Sequence, residues 1–488
     1  MLNRAARPRS RCYLFVTMRT NMLANDTICA IATPSGLGAI ATIRISGPEA
    51  FALVAKVFKQ HGKPFDTDKI VSHRAYYGHV VDNGEMLDEV LVTFFKAPHS
   101  FTGEDSAEIS VHGSVYIQEK LLHILIAHGC RMAEAGEFTR RAFVNRKFDL
   151  AQAEAIADLI SSENEAAHRL AINQLKGDFS KELQVMRSKL LEMTALIELE
   201  LDFSEEDVEF ADRSQLKVLL QETIDKVNSL KDSFRLGNAI KNGVPVAIVG
   251  QTNTGKSTLL NALLGEDRAI VSDIAGTTRD TIEETLNING ILYRFIDTAG
   301  LRQTDETIER IGIERSYRKI KEATIVIGML DATNDYESML SSANEILGRV
   351  DLVQQQIVLC INKVDTLPDQ GEAVLSRLRQ DLDNDMIMVI CLSAKRKFGL
   401  NDLYNALKHN QPLTHPDTTL VTNVRHYEAL LHASESLNHV KEGLEMNVPT
   451  DLVSQDLRQT IYHLGSITGE ITTDEILGTI FSRFCIGK

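Results

Sequence analysis

The chain has 488 residues and a formal net charge of −15, from 52 lysines and arginines against 67 aspartates and glutamates. A chain of this length is too long to fold around a single hydrophobic core, so we expect three domains. The acidic balance argues against a protein that binds nucleic acid unaided by neutralising its phosphates.

The six cysteines have no Cys-x-x-Cys spacing and follow no secretory signal, which indicates reduced thiols in a cytosol-like compartment. No apolar run is long enough to span a membrane. Residues 1–21 contain five arginines and no acidic residue, as a mitochondrial transit peptide does. The alternative is an upstream start codon, with translation beginning at Met22. We favour this alternative, which implies a cytoplasmic protein, and exclude the extension from the fold.

Residues 22–146 alternate short strands with turns, a pattern that predicts an α+β domain. The strand AIATIRISG contains Arg44, and the segment SFTGEDSAEISVHG places Glu108 on another strand. Taken alone, Glu108 has the ordinary interpretation of a solvated strand carboxylate.

Two helical blocks follow, residues 147–240 and residues 412–488, in which alanine, leucine and isoleucine recur at the spacing of amphipathic helices. Neither block can bury its apolar face well alone, so we expect them to pack together as one helical domain. Residues 241–411 are then an inserted domain whose two ends lie close together.

The inserted domain opens with a phosphate-binding motif. The β-branched run Val246–Val249 predicts a buried parallel strand, and Gly250–Ser257 fits G-x-x-x-x-G-K-[ST]. The glycines let successive backbone N–H groups point inward, and the helix that begins near Lys256 adds the positive end of its dipole. Lys256 is expected to reach the β and γ phosphates, and Ser257 to bind magnesium.

Three later motifs, each after an apolar strand, indicate the nucleotide. IDTAG places Asp297 at a strand end and the Gly300 N–H near the γ phosphate, and LSAK brings backbone groups towards the base oxygen. In NKVD, the Asp365 carboxylate can accept both N–H groups of guanine, whereas adenine is a poor match. The four motifs in this order resemble the translation-factor-like GTPases.

Other segments narrow the resemblance. Leu301, directly after DTAG, cannot hydrogen-bond a water, so another group must position the nucleophile. With SDIAGTTRD, ETIERIGIER and the C-terminal FCIGK, the chain resembles the MnmE (TrmE) family of tRNA-modifying GTPases from Met22 to Lys488. The resemblance implies a multidomain α/β and α fold, with an α+β tetrahydrofolate-binding and dimerisation domain, a helical domain and an inserted Ras-like P-loop GTPase domain.

The resemblance also implies which residues bind the ligands of the GTPase domain. The residues that would contact GTP are Asn253, Thr254, Gly255, Lys256, Ser257, Thr258, Ser272, Asp273, Ile274, Ala275, Gly276, Thr277, Thr278, Asp297, Thr298, Ala299, Gly300, Asn362, Lys363, Asp365, Ser393, Ala394 and Lys395. Magnesium would be bound by Ser257 and Thr278. Potassium would be bound by Asn253, Ser272, Ile274 and Thr277.

Catalysis would use Asn253, Lys256 and Glu309, the last of which would position the attacking water. Without the resemblance, Glu309 is interpreted as a surface carboxylate of a helix. Arg279 and Arg302 flank the switch segments, and we interpret them as loop-ordering cations in preference to arginine fingers acting in cis.

For the N-terminal domain, the resemblance implies 5-formyl- or 5,10-methylene-tetrahydrofolate bound at Arg44, Glu108, Lys147 and Lys488, with the Cys485 thiol near the one-carbon unit. A pterin edge needs a carboxylate for its N–H groups, and a glutamyl tail needs cations. The implied function is that of a potassium-dependent, homodimeric GTPase. It would act with a FAD- and NADH-dependent partner in a heterotetramer, and GTP hydrolysis would drive dimerisation of the GTPase domains. The product would be tRNA with a carboxymethylaminomethyl or aminomethyl group on C5 of the wobble uridine.

The rival class is a ribosome-assembly or signalling GTPase, a switch that binds a partner and modifies nothing. Such a protein would share every motif from Gly250 to Lys395, so only the folate module and FCIGK separate the two classes.

Overall fold

Two β-sheets dominate the computed structural model, which describes residues 26–34, 36–202, 213–265, 284–288, 291–296, 320–353, 355–409, 419–446, 448–482 and 484–487. The chain divides into two compact units, and each unit contains one of the sheets. The first unit comprises residues 1–157, 174–194 and 461–488, and the second comprises residues 158–173 and 195–460.

The strands of the described residues are, in chain order, β1 (Ile28–Ile31), β2 (Ile40–Ser46), β3 (Phe58–Gln60), β4 (Lys63–Pro64), β5 (Arg74–Asp82), β6 (Glu85–Phe95), β7 (Ser106–His112), β8 (Arg131–Met132), β9 (Val244–Gly250), β10 (Glu284–Ile288), β11 (Ile291–Phe295), β12 (Ile325–Asp331), β13 (Gln356–Asn362) and β14 (Ile387–Cys391). The helices are α1 (Ala50–Val57), α2 (Val115–Ala127), α3 (Glu137–Val144), α4 (Leu150–Ile160), α5 (Glu165–Leu175), α6 (Asp178–Asp202), α7 (Arg213–Asp232), α8 (Phe234–Asn242), α9 (Lys256–Leu264), α10 (Tyr336–Leu347), α11 (Glu372–Leu382), α12 (Leu400–His409), α13 (Val424–Glu445), α14 (Thr450–Thr468) and α15 (Asp474–Phe481). Short 3-10 turns cover Thr67–Lys69 and Val364–Thr366.

The first sheet has the strand order β4-β3-β5-β6-β7-β2-β1-β8 and is antiparallel except between β1 and β8. One face packs against α1 and α2 around a core that includes Ile43 and Ile109. Because side chains alternate along a strand, Arg44 and Glu108 lie on the opposite face, where the register pairs them directly. The predicted α+β fold of the N-terminal part is confirmed.

The second sheet has the order β10-β11-β9-β12-β13-β14 and is parallel except for the β10–β11 hairpin. β12 is buried along its whole length, as expected for a strand covered on both faces. α9 and α12 pack on one face, and α10 and α11 pack on the other. The loops after β9, β13 and β14 therefore lie at the carboxyl edge of the sheet, where doubly wound folds bind ligands. The predicted α/β fold of this part of the chain is confirmed.

The helices bring together segments that are distant in the chain. In the second unit, α7 packs against α13, and Ser434 donates to the Asn228 side chain at 2.8 Å. In the first unit, the apolar side of α15, with Leu477 and Phe481, packs against Leu150 and Ala153 of α4. These two helix pairs therefore each join one helix from each predicted helical block. No helix in the described part of the chain is both long and apolar enough to cross a membrane.

Candidate functional sites

The phosphate-binding motif forms the turn between β9 and α9. Gly250 and Gly255 have φ angles of +152° and +97°, which lie in the region that glycine adopts readily. A Cβ atom at Gly250 would overlap the Met329 carbonyl, and one at Gly255 would overlap the Asn362 side chain. The loop therefore requires glycine at both positions, and it fits a ligand that the backbone itself must approach closely, such as a phosphate.

The Lys256 ammonium group lies inside this loop. Its Nζ donates to the carbonyl oxygens of Gly250 at 2.9 Å and Gln251 at 2.7 Å. Burial lowers the pKa of Lys256 from its ordinary value. A phosphate would supply the negative charge that this half-buried cation needs. Ser257 lies in the first turn of α9, and Asn253 is exposed in the loop with a left-handed φ of 62°.

Asn362 ties the three nucleotide loops together from the end of β13. Its side chain is 3% exposed, and its Nδ2 donates to the Thr254 carbonyl of the phosphate loop at 2.7 Å. Its Oδ1 accepts from the backbone N–H of Ala394 at 3.0 Å. One buried amide thus uses donor and acceptor together to hold the phosphate loop, the NKVD turn and the SAK turn in one arrangement.

Asp365 is held by the SAK turn. The buried Ser393 hydroxyl donates to Asp365 Oδ1 at 2.6 Å, and this hydrogen bond lowers the pKa of the carboxyl group below its ordinary value. The Nε of Arg396 lies 3.2 Å from the other oxygen, Oδ2. The carboxylate is therefore ionised and held in one orientation. Both properties are needed for it to accept hydrogen bonds from two N–H groups of a base.

The sequence analysis missed Asp331, the last residue of β12. Its Oδ2 accepts from Lys363 Nζ at 2.5 Å, and its Oδ1 accepts from the Thr333 hydroxyl at 2.7 Å. The residue is 9% exposed, and its register partner is Asn362. Asp331 thus fixes the lysine of NKVD. The available signal was an aspartate directly after an apolar strand, as in IDTAG.

The structure brings Arg44 and Glu108 together on the first sheet. Arg44 Nε donates to Glu108 Oε1 at 2.9 Å, and Arg44 Nη1 donates to the Gly487 carbonyl at 3.3 Å. The guanidinium carbon lies 5.3 Å and 5.8 Å from the ring centroids of Phe101 and Phe138. Arg44 therefore links Glu108, the carboxylate predicted to bind folate, to the C-terminal residues 484–487.

The C-terminal segment, which we define as residues 484–487, is bound to the first unit through its backbone. The Cys485 carbonyl accepts from Gly136 N–H at 3.4 Å, and Ile486 forms a β-bridge with Ala135. Gly487 has a φ of +98°, and a Cβ there would overlap the Ile31 carbonyl. The backbone is thus closely fitted, while the Cys485 side chain is exposed.

Lys147 lies beside this group. Its Nζ donates to the Pro98 carbonyl at 3.0 Å, and its neighbour Phe148 packs on Phe101, the ring that also contacts Arg44. Among the described residues, the predicted folate positions thus form one neighbourhood.

A buried ion cluster that the sequence analysis did not identify supports the same neighbourhood. Arg141 on α3 donates to Asp26 Oδ1 at 2.7 Å and to Glu137 Oε1 at 3.0 Å, and it also contacts Glu104. Burial alone raises the pKa of Glu137, but the guanidinium groups of Arg131 and Arg141 hold it below its ordinary value. The cluster links α3 to the chain entering β1 and to the loop before β7.

Several predicted site residues lie outside the described residues, so their roles stay predictions. They are Ser272, Asp273, Ile274, Ala275, Gly276, Thr277, Thr278, Asp297, Thr298, Ala299, Gly300, Glu309 and Lys488, together with Leu301, Arg279, Arg302 and the 1–21 extension. The described residues contain no cluster of three or more histidine, cysteine, aspartate or glutamate side chains suited to a metal ion.

Family models and curated proteins match this chain over most of its length. A family model described as "MnmE helical domain" matches residues 150–485, and one described as "GTP-binding protein TrmE N-terminus" matches residues 27–147. Two curated relatives, both named "tRNA modification GTPase MnmE", come from Flavobacterium johnsoniae and Parabacteroides distasonis. They are 50% and 51% identical over 474 and 469 residues, which is 96% and 95% of this chain and 100% of each relative.

Two solved structures are similar over a smaller part of the chain. Aquifex aeolicus Era bound to GDP and AlF4− is 26% identical over 39% of this chain and 66% of that chain, with a TM-score of 0.27. The FeoB G-domain from Methanococcus jannaschii is 28% identical over 34% of this chain and 96% of that chain, with a TM-score of 0.25.

Proposed function

This chain belongs to the MnmE family, and on that premise we propose that it is a GTPase that acts in the modification of tRNA. The observation that carries the GTPase assignment is the double hydrogen bond of Asn362, which links the phosphate loop to the turns around Asp365. A site with a phosphate cradle at one end and an ionised carboxylate at the other matches a guanine nucleotide.

For hydrolysis, the chain supplies a cation at the phosphates and groups for two metal ions. Lys256 would exchange its carbonyl partners for phosphate oxygens, and the hydroxyls of Ser257 and Thr278 would hold Mg²⁺. Bound magnesium would neutralise charge on the β and γ phosphates. Glu309 orients the attacking water, because Leu301 cannot.

Potassium binding rests on Asn253. Its exposed side chain at the left-handed turn of the phosphate loop supports an oxygen ligand that reaches beyond the loop, with Ser272, Ile274 and Thr277 as the other proposed ligands. A weakly charged cation there would supply the positive charge that other GTPases take from an arginine finger. The site becomes complete when two GTPase domains of a homodimer meet.

For tRNA modification, the second group of residues supplies a one-carbon unit. Glu108 would bind the N–H groups of a tetrahydrofolate pterin, while Arg44, Lys147 and Lys488 would bind its anionic part. The paired Arg44 and Glu108 and the C-terminal segment beside them support this assignment. Cys485, exposed on that segment, would lie near the one-carbon unit. A FAD- and NADH-dependent partner in a heterotetramer would supply the redox chemistry, giving a carboxymethylaminomethyl or aminomethyl group on C5 of the wobble uridine.

We place the protein in the cytoplasm, or in mitochondria if residues 1–21 act as a transit peptide. The five cysteines of the described residues are free thiols, the state that a reducing compartment maintains.

Two measurements on the purified chain test this proposal. We expect hydrolysis of GTP, little hydrolysis of ATP, and saturable binding of 5-formyl-tetrahydrofolate that Glu108→Gln abolishes. GTP turnover without folate binding would favour a switch GTPase that modifies nothing. Folate binding without GTP turnover would reject the GTPase assignment.

A further inference from the structure

The guanine-reading carboxylate already has a cationic neighbour from its own chain. In the structure, Asp365 Oδ1 accepts from Ser393 and Oδ2 lies 3.2 Å from Arg396 Nε. Arg396 is anchored at its backbone, whose N–H donates to the Ser393 hydroxyl at 3.3 Å. Its side chain is 72% exposed, against 20% for Asp365, so it can turn into solvent with little loss of buried surface.

The chemistry of this neighbour resembles that of the ligand. The guanine edge that an aspartate reads consists of N1–H, C2 and the 2-amino group, which together form a guanidine fragment. Arg396 presents the same fragment, with N–H donors in one plane. An exposed ion pair of this kind is weak, so a nucleotide with better geometry can displace it.

We propose that Arg396 competes with guanine for Asp365: Arg396 pairs with Oδ2, and it must leave that oxygen when guanine binds with both N–H groups. The inference rests on the proposed role of Asp365 in reading the base. Arg396 therefore weakens guanine-nucleotide binding and reduces the preference for guanine over hypoxanthine without taking part in hydrolysis.

Inosine nucleotides distinguish competition at Asp365 from a general effect of charge on nucleotide binding. Their base, hypoxanthine, has the N1–H of guanine but lacks its 2-amino group. GDP must displace Arg396 to use both carboxylate oxygens. IDP has a donor for one oxygen only, so Arg396 can remain on Oδ2 and satisfy it. Removing Arg396 should therefore favour GDP and leave IDP unchanged or bound more weakly.

The test measures the dissociation constants of GDP and IDP by calorimetry for the full chain, for Arg396→Gln and for Lys397→Gln. Lys397 is a matched control because it is an exposed cation in the same turn, and among the described residues Asp365 pairs with Arg396 and not with Lys397. Removing either positive charge should weaken the binding of any anionic nucleotide to a similar extent.

The expected result is that Arg396→Gln binds GDP about two- to fivefold more tightly than Lys397→Gln does, the size of one exposed ion pair. The ratio of IDP to GDP dissociation constants should also rise by at least about twofold above the wild-type ratio. An unchanged ratio, or weaker GDP binding in Arg396→Gln than in Lys397→Gln, would overturn the proposal. A wild-type protein that does not prefer GDP to ADP would instead reject the base-reading role of Asp365.

Discussion

At the scale of single residues, base choice depends on Asp365, whose carboxylate is oriented by Ser393. Asp365→Asn replaces one acceptor oxygen with an N–H donor, which opposes guanine and suits the carbonyl of xanthine. We expect GDP binding to weaken by about ten- to a hundredfold, as when a charged hydrogen-bonding partner is lost, and the variant to prefer XDP. Competitive displacement of a fluorescent nucleotide measures both.

Asp369 provides the control for this substitution. Asp369 lies four residues after Asp365 in the chain. Its carboxylate accepts a hydrogen bond from the N–H of Ala373, at the start of α11, at 2.9 Å. Asp369→Asn should therefore affect that helix and leave the preference for guanine intact. An Asp365→Asn protein that still prefers GDP to XDP would show that another group reads the base.

Motif residues were predictable because their chemistry fixes both residue type and spacing. Gly250 and Asn362 lie at the ends of their strands and Lys256 begins α9, as the sequence analysis expected. The pairing of Asp331 with Lys363 and that of Arg396 with Asp365 were not predictable, because only the folded chain brings these partners near each other. A short-range motif contains no information about which side chain lies across the sheet edge.

At the scale of elements, α3 is fixed by a buried ion cluster that responds to pH. Because the pKa of Glu137 is lowered in the folded state, its ionised form stabilises the fold above its unfolded pKa near 4.5, and that contribution is lost as pH falls through the folded value. Glu137 is 2% exposed, so Glu137→Gln removes a buried negative charge from Arg131 and Arg141, which keep Asp26 as their shared partner.

We expect Glu137→Gln to destabilise the first unit by about 3 to 5 kcal/mol at pH 7, and by less as the pH falls below the unfolded pKa near 4.5 and Glu137 of the wild type loses its charge. Urea unfolding followed at several pH values measures this. Glu165→Gln on α5 is a suitable control because Glu165 is exposed. An equal loss of stability at every pH would contradict a charge-based role.

The position of the C-terminal segment can be tested with a single substitution. Gly487→Ala forces a Cβ towards the Ile31 carbonyl at a φ of +98°, so the segment must move. GTP turnover should not change, because the substitution lies in the first unit. Wobble-uridine modification should fall by about ten- to a hundredfold, the usual effect of misplacing a reacting group by about 1 Å.

Gly478 is the control for this prediction, since a Cβ there meets no atom within 4 Å. Gly478→Ala should behave as wild type. The rate at which Cys485 reacts with a thiol reagent provides a second measurement and should rise in Gly487→Ala alone. Normal modification in Gly487→Ala would mean that the position of the segment does not matter for the chemistry.

At the scale of the whole molecule, the proposed potassium site requires two GTPase domains. We expect GTP turnover per molecule to rise with protein concentration. Turnover should also be at least about tenfold faster in potassium chloride than in sodium chloride, because a bound potassium ion would stabilise the charge of the transition state. Asn253→Ala should remove the difference and keep nucleotide affinity, because Lys256 still binds the phosphates. Equal wild-type rates in the two salts would remove the cation from the mechanism.

The overall fold could be inferred because hydrophobic periodicity distinguishes strands from helices. Examples are the continuous apolar run of β9 and the alternating pattern of β6. The placement of the C-terminal segment could not be inferred, because it depends on contacts between residues that are hundreds of positions apart in the chain. Gly136 contacts Cys485, and Gly487 contacts Arg44. Such contacts have no periodic signature in the sequence.

The central claim is that GTP hydrolysis by this chain serves tRNA modification. Mass spectrometry of wobble uridines tests it most directly, in a strain that lacks its own MnmE protein and expresses either the wild-type chain or Lys256→Ala. The account predicts that the wild-type chain restores the carboxymethylaminomethyl or aminomethyl group and that Lys256→Ala, expressed at the same level, does not. Unmodified wobble uridines with the wild-type chain, or full modification with Lys256→Ala, would contradict it.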